Sequence, residues 1–491
     1  MTINHIHSER SRTKGAILVW FVLILPLLLG MTGLVIDAGL MMSSSRHVQS
    51  SVDAASLAAA SALSDGKTIA DATRIATEFV RDHHGLADAT VEIHSPPRSG
   101  LYAGEDGFVE VTAEYETSTF FIHLLPGGTK SQIAAARAVS GSEKEKTIDG
   151  IVALDHRARP GIRFTGNANV TVSGRIIVNS EGGGVDANGG DVGGSGVAAF
   201  VSPFGLVKAT EVHVVGGANR PDRFENYEPG GAHPLVAGQL PVPDPFIRIP
   251  VPTISTGVLN IERGAPIATT DVVELNNPRD DNSSPNTIET DPVTGEQTMY
   301  LRPGIYTSIN IDGGRVRFEP GIYVLAAQEQ DTYSLDIRSG DVVARGLMFY
   351  NTTDEYNAIT GQPDASDGNQ LPASSTTSFG NVRLNAGLGF TAIDTSQYGY
   401  FGMSPSISEF DGMLFYQRRR HTPTVQIQGV AEDGEFVGAI YAKWAQLRVP
   451  GGGVFRSQLV VGNLFVPGHG DLTVEYDNLG AISTVGVYLV E

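Results

Sequence analysis

Residues 301–325 read LRPGIYTSINIDGGRVRFEPGIYVL. The unit PGIY occurs at Pro303–Tyr306 and again at Pro320–Tyr323, and each copy runs into β-branched and apolar residues. Short apolar runs bounded by Gly and Pro mark strands joined by tight turns. The same texture extends outward in both directions: GIRFTGNANVTVSGRIIVNS at 161–180, SLDIRSGDVVARGLMFYN at 334–351, and FVGAIYAKWAQLRVPGGGVFRSQLVVGNLFVPGHGDLTVEYD at 436–477. From about residue 148 to 491 no helical period is found. Glycine, at 58 of 491 residues, supplies the turns. Short strands at close spacing fit a β-solenoid or a sandwich. Of these, a right-handed parallel β-helix is expected, each rung burying Val, Ile and Leu on its neighbours, with Gly or Asn at the corners.

Two polar stretches interrupt this Gly-rich region of 148–491, at about 238–300 and 354–378. The first contains LPVPDPFIRIPVP at Leu240–Pro252, where each Pro biases its predecessor away from helix and predicts an extended segment. Arg279–Gln297 is expected to be a loop.

The N-terminal part obeys another period. Gly15–Ile36 reads GAILVWFVLILPLLLGMTGLVI, 22 uncharged residues. A helix of that length spans the ~30 Å of bilayer hydrocarbon. Arg10, Arg12 and Lys14 precede the run and Asp37 follows it. The positive-inside rule then makes 1–14 a cytoplasmic basic tail, 15–40 a transmembrane helix and the remainder extracytoplasmic. The run exceeds the roughly 7–15 apolar residues of a cleaved signal, so a retained single-pass anchor is expected. Beyond it, Val48, Val52, Ala55, Ala59, Ala62 and Leu63 recur at helical steps, which continues the rod until Asp65-Gly66. A second helix is expected from Thr68 to about His83. Strands follow around Val91 and Ile93, from Val109 to Tyr115, at Phe120–Leu125 and at Ile133–Val139, giving a small α+β domain over 41–147.

Lys and Arg number 34 against 54 Asp and Glu, a net charge of −20 that argues against nucleic acid as a partner. The absence of cysteine excludes disulfides, Cys-ligated zinc and thiol nucleophiles.

The N-terminal combination RTKGAILVWFVLILPLLLGMTGLVIDAGLMMSSSRHVQSSVDAASLAAASAL resembles the Flp pilus-assembly (tight adherence) TadE/TadG-like family. The residues carrying the resemblance are Lys14, Gly15, Asp37, Gly39, Gln49, Asp53, Ala54, Ala55 and Ala58–Ala60. The rest of the chain, with RPGIY, GMLFYQRRR and FVGAIYAKWAQLRV, is similar to the longer TadG-type proteins. The resemblance implies a non-enzymatic accessory protein of pilus assembly in the bacterial inner membrane, its bulk periplasmic. It implies pilus-assembly membrane proteins or surface components as partners. Type IV prepilins carry Glu at the fifth position beyond their cleavage-site Gly. Here that position is Trp20, so a static anchor is implied rather than a fibre subunit.

Other residues have both a plain structural reading and a functional one. Asp37, at the outer end of the apolar run, is read either as a solvated interfacial carboxylate or as the contact of a partner helix. EGGGVDANGGDVGG places Asp186 and Asp191 among glycines, where turn chemistry competes with calcium binding or a polysaccharide-cleaving carboxylate pair. Asp280-Asp281 lies in a polar loop. Arg418, Arg419 and Arg420, followed by His421, are expected in an exposed loop, with binding of an anionic glycan or an acidic partner as the functional alternative. His83-His84 reads as a helix end, and Asn169-Val-Thr171 fits a glycosylation acceptor. No catalytic residue, metal or cofactor is assigned. A carbohydrate-binding or carbohydrate-cleaving β-helix is the competing function.

Overall fold

The apolar and alanine-rich N-terminal sequence forms one 51-residue helix, α1 (Lys14–Ser64). The computed structural model describes residues 14–64, 67–124, 127–146, 149–253, 272–275, 287–329, 332–368, 370–372, 380–400, 405–428, 436–475 and 483–490. Within α1 the side chains at 14–20, 23, 26, 27 and 29 fall outside that description, so the expected span at 15–36 is described in part. Among the described residues, no helix is long and apolar enough to cross a membrane. The expected stop at Asp65-Gly66 also lies outside the described residues.

Two compact units make up the chain: residues 1–145 with 485–491, and residues 146–484. The sequence reading ran the second region to residue 491, whereas the final residues return to the first unit. In that unit Val48, Val52, Ala55 and Ala59 of α1 are fully buried. They pack with α2 (Ile69–Glu78), which Thr68 caps by accepting the Asp71 N–H at 3.2 Å. One π-helical turn, Phe79–His83, ends this helix. The sheet behind them contains β1 (Thr90–His94), β2 (Phe108–Ser118) and β3 (Ser131–Lys146), all antiparallel. The strand Ser483–Leu489 completes it beside β3. The strand expected at Phe120–Leu125 is not formed over its described residues, 120–124. Ile122–Leu124 is a short 3₁₀ turn, because the amides before it are claimed by a carboxylate on α1.

The second unit is mostly β, and its strands pair in parallel from one level to the next. On one face Val324, Tyr350, Tyr416, Tyr441, Val460, Val152 and Ile177 stand in register on successive strands. On a second face Ile309, Leu335, Val382, Val425, Leu447, Leu464, Ile162 and Ala199 do the same. A third ladder runs through Gly453, Leu472, Val170, Val207 and Phe224. In-register parallel pairing sets like side chain over like at ~4.8 Å. Inside, Phe318, Phe349, Phe390, Phe436 and Phe455 form a column of edge-to-face rings with centroids 5.0–6.5 Å apart. Beside it Asn351 and Gln417 form a buried amide ladder, 3.1 Å apart. Gly346 and Gly412, at φ +68° and +82°, turn the chain into the equivalent runs GLMFY and GMLFY.

Chain order and spatial order differ in this stack. The chain enters at Asp149–Ala153, between Leu459–Val466 and Arg175–Val178. It climbs through Glu211–Val214 to Leu235–Ala237, then re-enters from the far end at Val272–Leu275. Leu240–Pro252 straps across the tyrosine face on the way. Val242 exchanges two hydrogen bonds with Asn179, Phe246 packs edge-on to Tyr441 at 5.6 Å, and the Pro252 carbonyl accepts from the Tyr356 hydroxyl. This strap is not wholly extended as the proline spacing suggested. Asp244 accepts the Phe246 N–H and starts a turn at 245–248. The expected loop at 279–297 holds part of an antiparallel hairpin, Thr287–Thr290 with Gln297–Leu301. The stack depends on its ring column. Phe390→Ala is expected to cost about 3–5 kcal/mol, read as a lowered denaturation midpoint, whereas Val293→Ala at an exposed position should stay within about 0.5 kcal/mol.

Candidate functional site

Of the sequence motif residues, Asp37, Gln49 and Ala55 lie where α1 packs on the rest of its unit. Asp37 is 4% exposed, and its carboxylate accepts three consecutive backbone N–H groups: Phe120 at 2.9 Å, Phe121 at 2.7 Å and Ile122 at 2.6 Å. Three charge-assisted bonds to one carboxylate fix the loop against the helix. Asp37 is therefore neither a solvated carboxylate nor a free contact for a partner helix. One turn earlier, Gly33 makes room for the loop: a Cβ there would come within 2.5 Å of the Phe121 ring. Further along, Gln49 donates to Asp53 Oδ1 at 2.7 Å and to the Arg137 carbonyl of β3 at 3.1 Å. The Ser56 and Ser140 hydroxyls meet at 2.7 Å, and Ala55 is fully buried. Ala54 is half-buried, and Gly39 faces open space. Gly15 lies in the helix backbone. Between Asp37 and Gln49, Leu40, Ser43, His47, Thr117 and Phe120 line a shallow open groove.

Glu110 anchors the far side of the same sheet. It accepts the Ser99 hydroxyl and the Arg98 N–H, both at 2.7 Å, and pairs with Arg137. Burial opposes its charge, but these donors outweigh burial and hold its carboxyl down at about 2.

The arginine cluster is not the exposed loop expected. Arg418 Nε lies 3.0 Å from Asp364 and 2.9 Å from Asp367, both buried. Arg419 is 5% exposed, packs its guanidinium over the Tyr416 and Tyr441 rings, and donates to the Phe246 and Ile249 carbonyls of the strap. Arg420 donates to the Leu371 carbonyl. The charges that suggested an anionic glycan are thus engaged internally. Lys443 and Tyr441 likewise meet Asp244 at 3.0 and 2.7 Å. His421 is buried with no hydrogen-bond partner on either ring nitrogen. Its burial, with help from the Arg418 charge, pushes it down to about 3.

The remaining candidates have local duties. Asp186 accepts the Asn188 and Gly190 N–H groups, and Asp191 accepts that of Gly193. These are Asx turns. Asp280 and Asp281 lie outside the described residues. His83 ends the second helix, and the His84 carbonyl meets the His47 ring nitrogen at 2.9 Å. Asn169 donates to Asp471 from the adjoining strand. Among the described residues, no three His, Asp or Glu side chains are placed to hold a metal ion.

The helix that carries the Asp37 and Gln49 contacts coincides with a known family segment. Residues 15–62 match the family described as "Putative Flp pilus-assembly TadE/G-like". Over that segment the chain is similar to the TadE/G-like family. No curated relative matches the chain. Among solved structures it is similar to the competence-associated pilin ComZ from Thermus thermophilus, at 10% identity over 82% of this chain and 83% of that one. The TM-score of 0.24 is too low for that likeness to carry an argument.

Asp37 and Gly33 were not linked to residues 120–122 by any sequence pattern, and they provide the test. Asp37→Ala leaves three amides without their acceptor and is expected to cost about 1–3 kcal/mol locally. Hydrogen exchange at 120–122 should accelerate, and Gly33→Leu should reproduce the effect by displacing Phe121. A pH titration separates the second unit. His421 is neutral when folded, so its contribution is intact above its ordinary value of 6.5 and is lost as pH falls from there toward about 3. The thermal midpoint of this unit should decline across that window, and His421→Phe should flatten the decline.

Proposed function

We propose that this chain is a membrane-anchored, non-enzymatic accessory protein of Flp (tight-adherence) pilus assembly. In this reading α1 crosses the bacterial inner membrane once, with residues 1–14 in the cytoplasm. Unit 2, read as a right-handed parallel β-helix, is displayed in the periplasm for assembly or adhesion. The carrying observation is the TadE/G-like match over residues 15–62, the same residues whose Asp37, Gln49 and Ala55 build the contact face of α1. The uncharged run at 15–36 with basic residues before it supports the anchor. A structural role accords with that family, and the internal pairing of Arg418 and Arg419 supports it. The partners are then pilus-assembly membrane proteins.

Two measurements test this reading together. The chain has no native cysteine, so Ser8→Cys and Val293→Cys each give one label site, the latter 90% exposed. In spheroplasts an impermeant maleimide is expected to label residue 293 and not residue 8, on full-length membrane-bound protein. A shortened soluble product would overturn the anchor. Affinity purification is expected to recover pilus-assembly membrane proteins with the parent chain and to lose them with Asp37→Ala. Recovery of none from the parent chain would overturn the assembly role.

A further inference from the structure

We propose that residues 119–124 form an apolar tongue that inserts into the outer boundary of the lipid bilayer beside α1. The inference rests on the membrane-anchor reading above and adds a second point of lipid contact to it. Gly33, which the Phe121 ring covers, lies three residues inside the end of the apolar run at 15–36. Three residues are about 4.5 Å of helix rise, so the ring sits below the level at which the run ends. Phe120 is 60% and Phe121 41% exposed, so much of their apolar surface is left uncovered by the protein.

Irregular backbone is excluded from hydrocarbon because its N–H groups have no acceptor there. This loop meets that objection. The amides of 120, 121 and 122, which neither strand nor α-helix would satisfy, are all taken by Asp37. The carboxylate thus lets two phenylalanines be presented at membrane depth without bare amides. His123, exposed beside them, supplies a polar side chain suited to the headgroup layer.

The occupant of this surface is lipid rather than a protein partner. Exposed apolar residues on α1 include Phe21, Val22, Leu25, Met31, Leu34 and Ile36, which spread around the helix on every side but the one that Gly33 and Asp37 turn to the loop. A partner helix covers one stripe, whereas acyl chains cover every side.

Single-cysteine variants report this directly. Leu28→Cys, Phe120→Cys and Leu101→Cys, each labelled with an NBD fluorophore, are reconstituted in phosphatidylcholine–phosphatidylglycerol vesicles carrying a nitroxide on the upper acyl chain. Residues 28 and 120 are expected to lose most of their emission to the nitroxide, and residue 101, at 89% exposure, to keep it. Asp37→Ala should abolish quenching at 120 while leaving it at 28. Quenching at 28 without quenching at 120 would overturn the tongue and leave the anchor standing. No quenching at 28 would overturn the anchor and the tongue with it. A blue shift at 120 without lipid quenching would show a protein covering the loop, and would also overturn the proposal.

Discussion

In-register parallel stacking constrains nearly everything in the larger unit. Once strands lie directly above one another, each position must carry a side chain that packs against the one in register with it ~4.8 Å away. Phenylalanine over phenylalanine, tyrosine over tyrosine and amide over amide satisfy that demand, as Phe390 on Phe436, Tyr350 on Tyr416 and Asn351 on Gln417 do. The tyrosine-bearing strands are apolar on both sides, so an outer cover is obligatory. Leu240–Pro252 provides it, and its polar groups must then be answered. Asp244, Lys443, Tyr441 and Arg419 are the answer, which is why charged residues are found deep in an otherwise apolar face.

The texture of strands and turns was legible because Gly, Pro and β-branched residues act locally. PGIY, GLMFY and GMLFY are each the opening of one strand. Their spacing was not legible as a period, since insertions of very different length separate successive levels. Nor could a local reading reveal that Asn169 lies beside Asp471, or that the chain enters its own stack in the middle. The arginine triplet was misjudged for a related reason. Three adjacent cations look like a solvated loop until the carboxylates at 364 and 367, distant in sequence, are brought to them.

The helical part divides in the same way. The apolar face of α1 at Val48, Val52, Ala55 and Ala59 follows from its spacing, and it is buried. The segment Phe120–Leu125 reads as a strand by composition, yet residues 120–122 surrender their amides to a carboxylate over eighty positions earlier. Propensity lost to a long-range hydrogen-bond acceptor that no window of sequence contains. Motif matching located Asp37 and Gln49, but their roles became visible only with β2, β3 and the loop between them in place.

The return of Ser483–Leu489 to the edge of β3 has a consequence for how the chain is made. A ribosome delivers the first three strands of that sheet early and the fourth only after more than three hundred further residues. Until then the outer edge of β3 stays unpaired. Sheet closure therefore waits until the whole of the large unit has been synthesised. Truncation between β3 and residue 483 would leave that edge open, so completion of the small sheet reports that the large unit has been made in full.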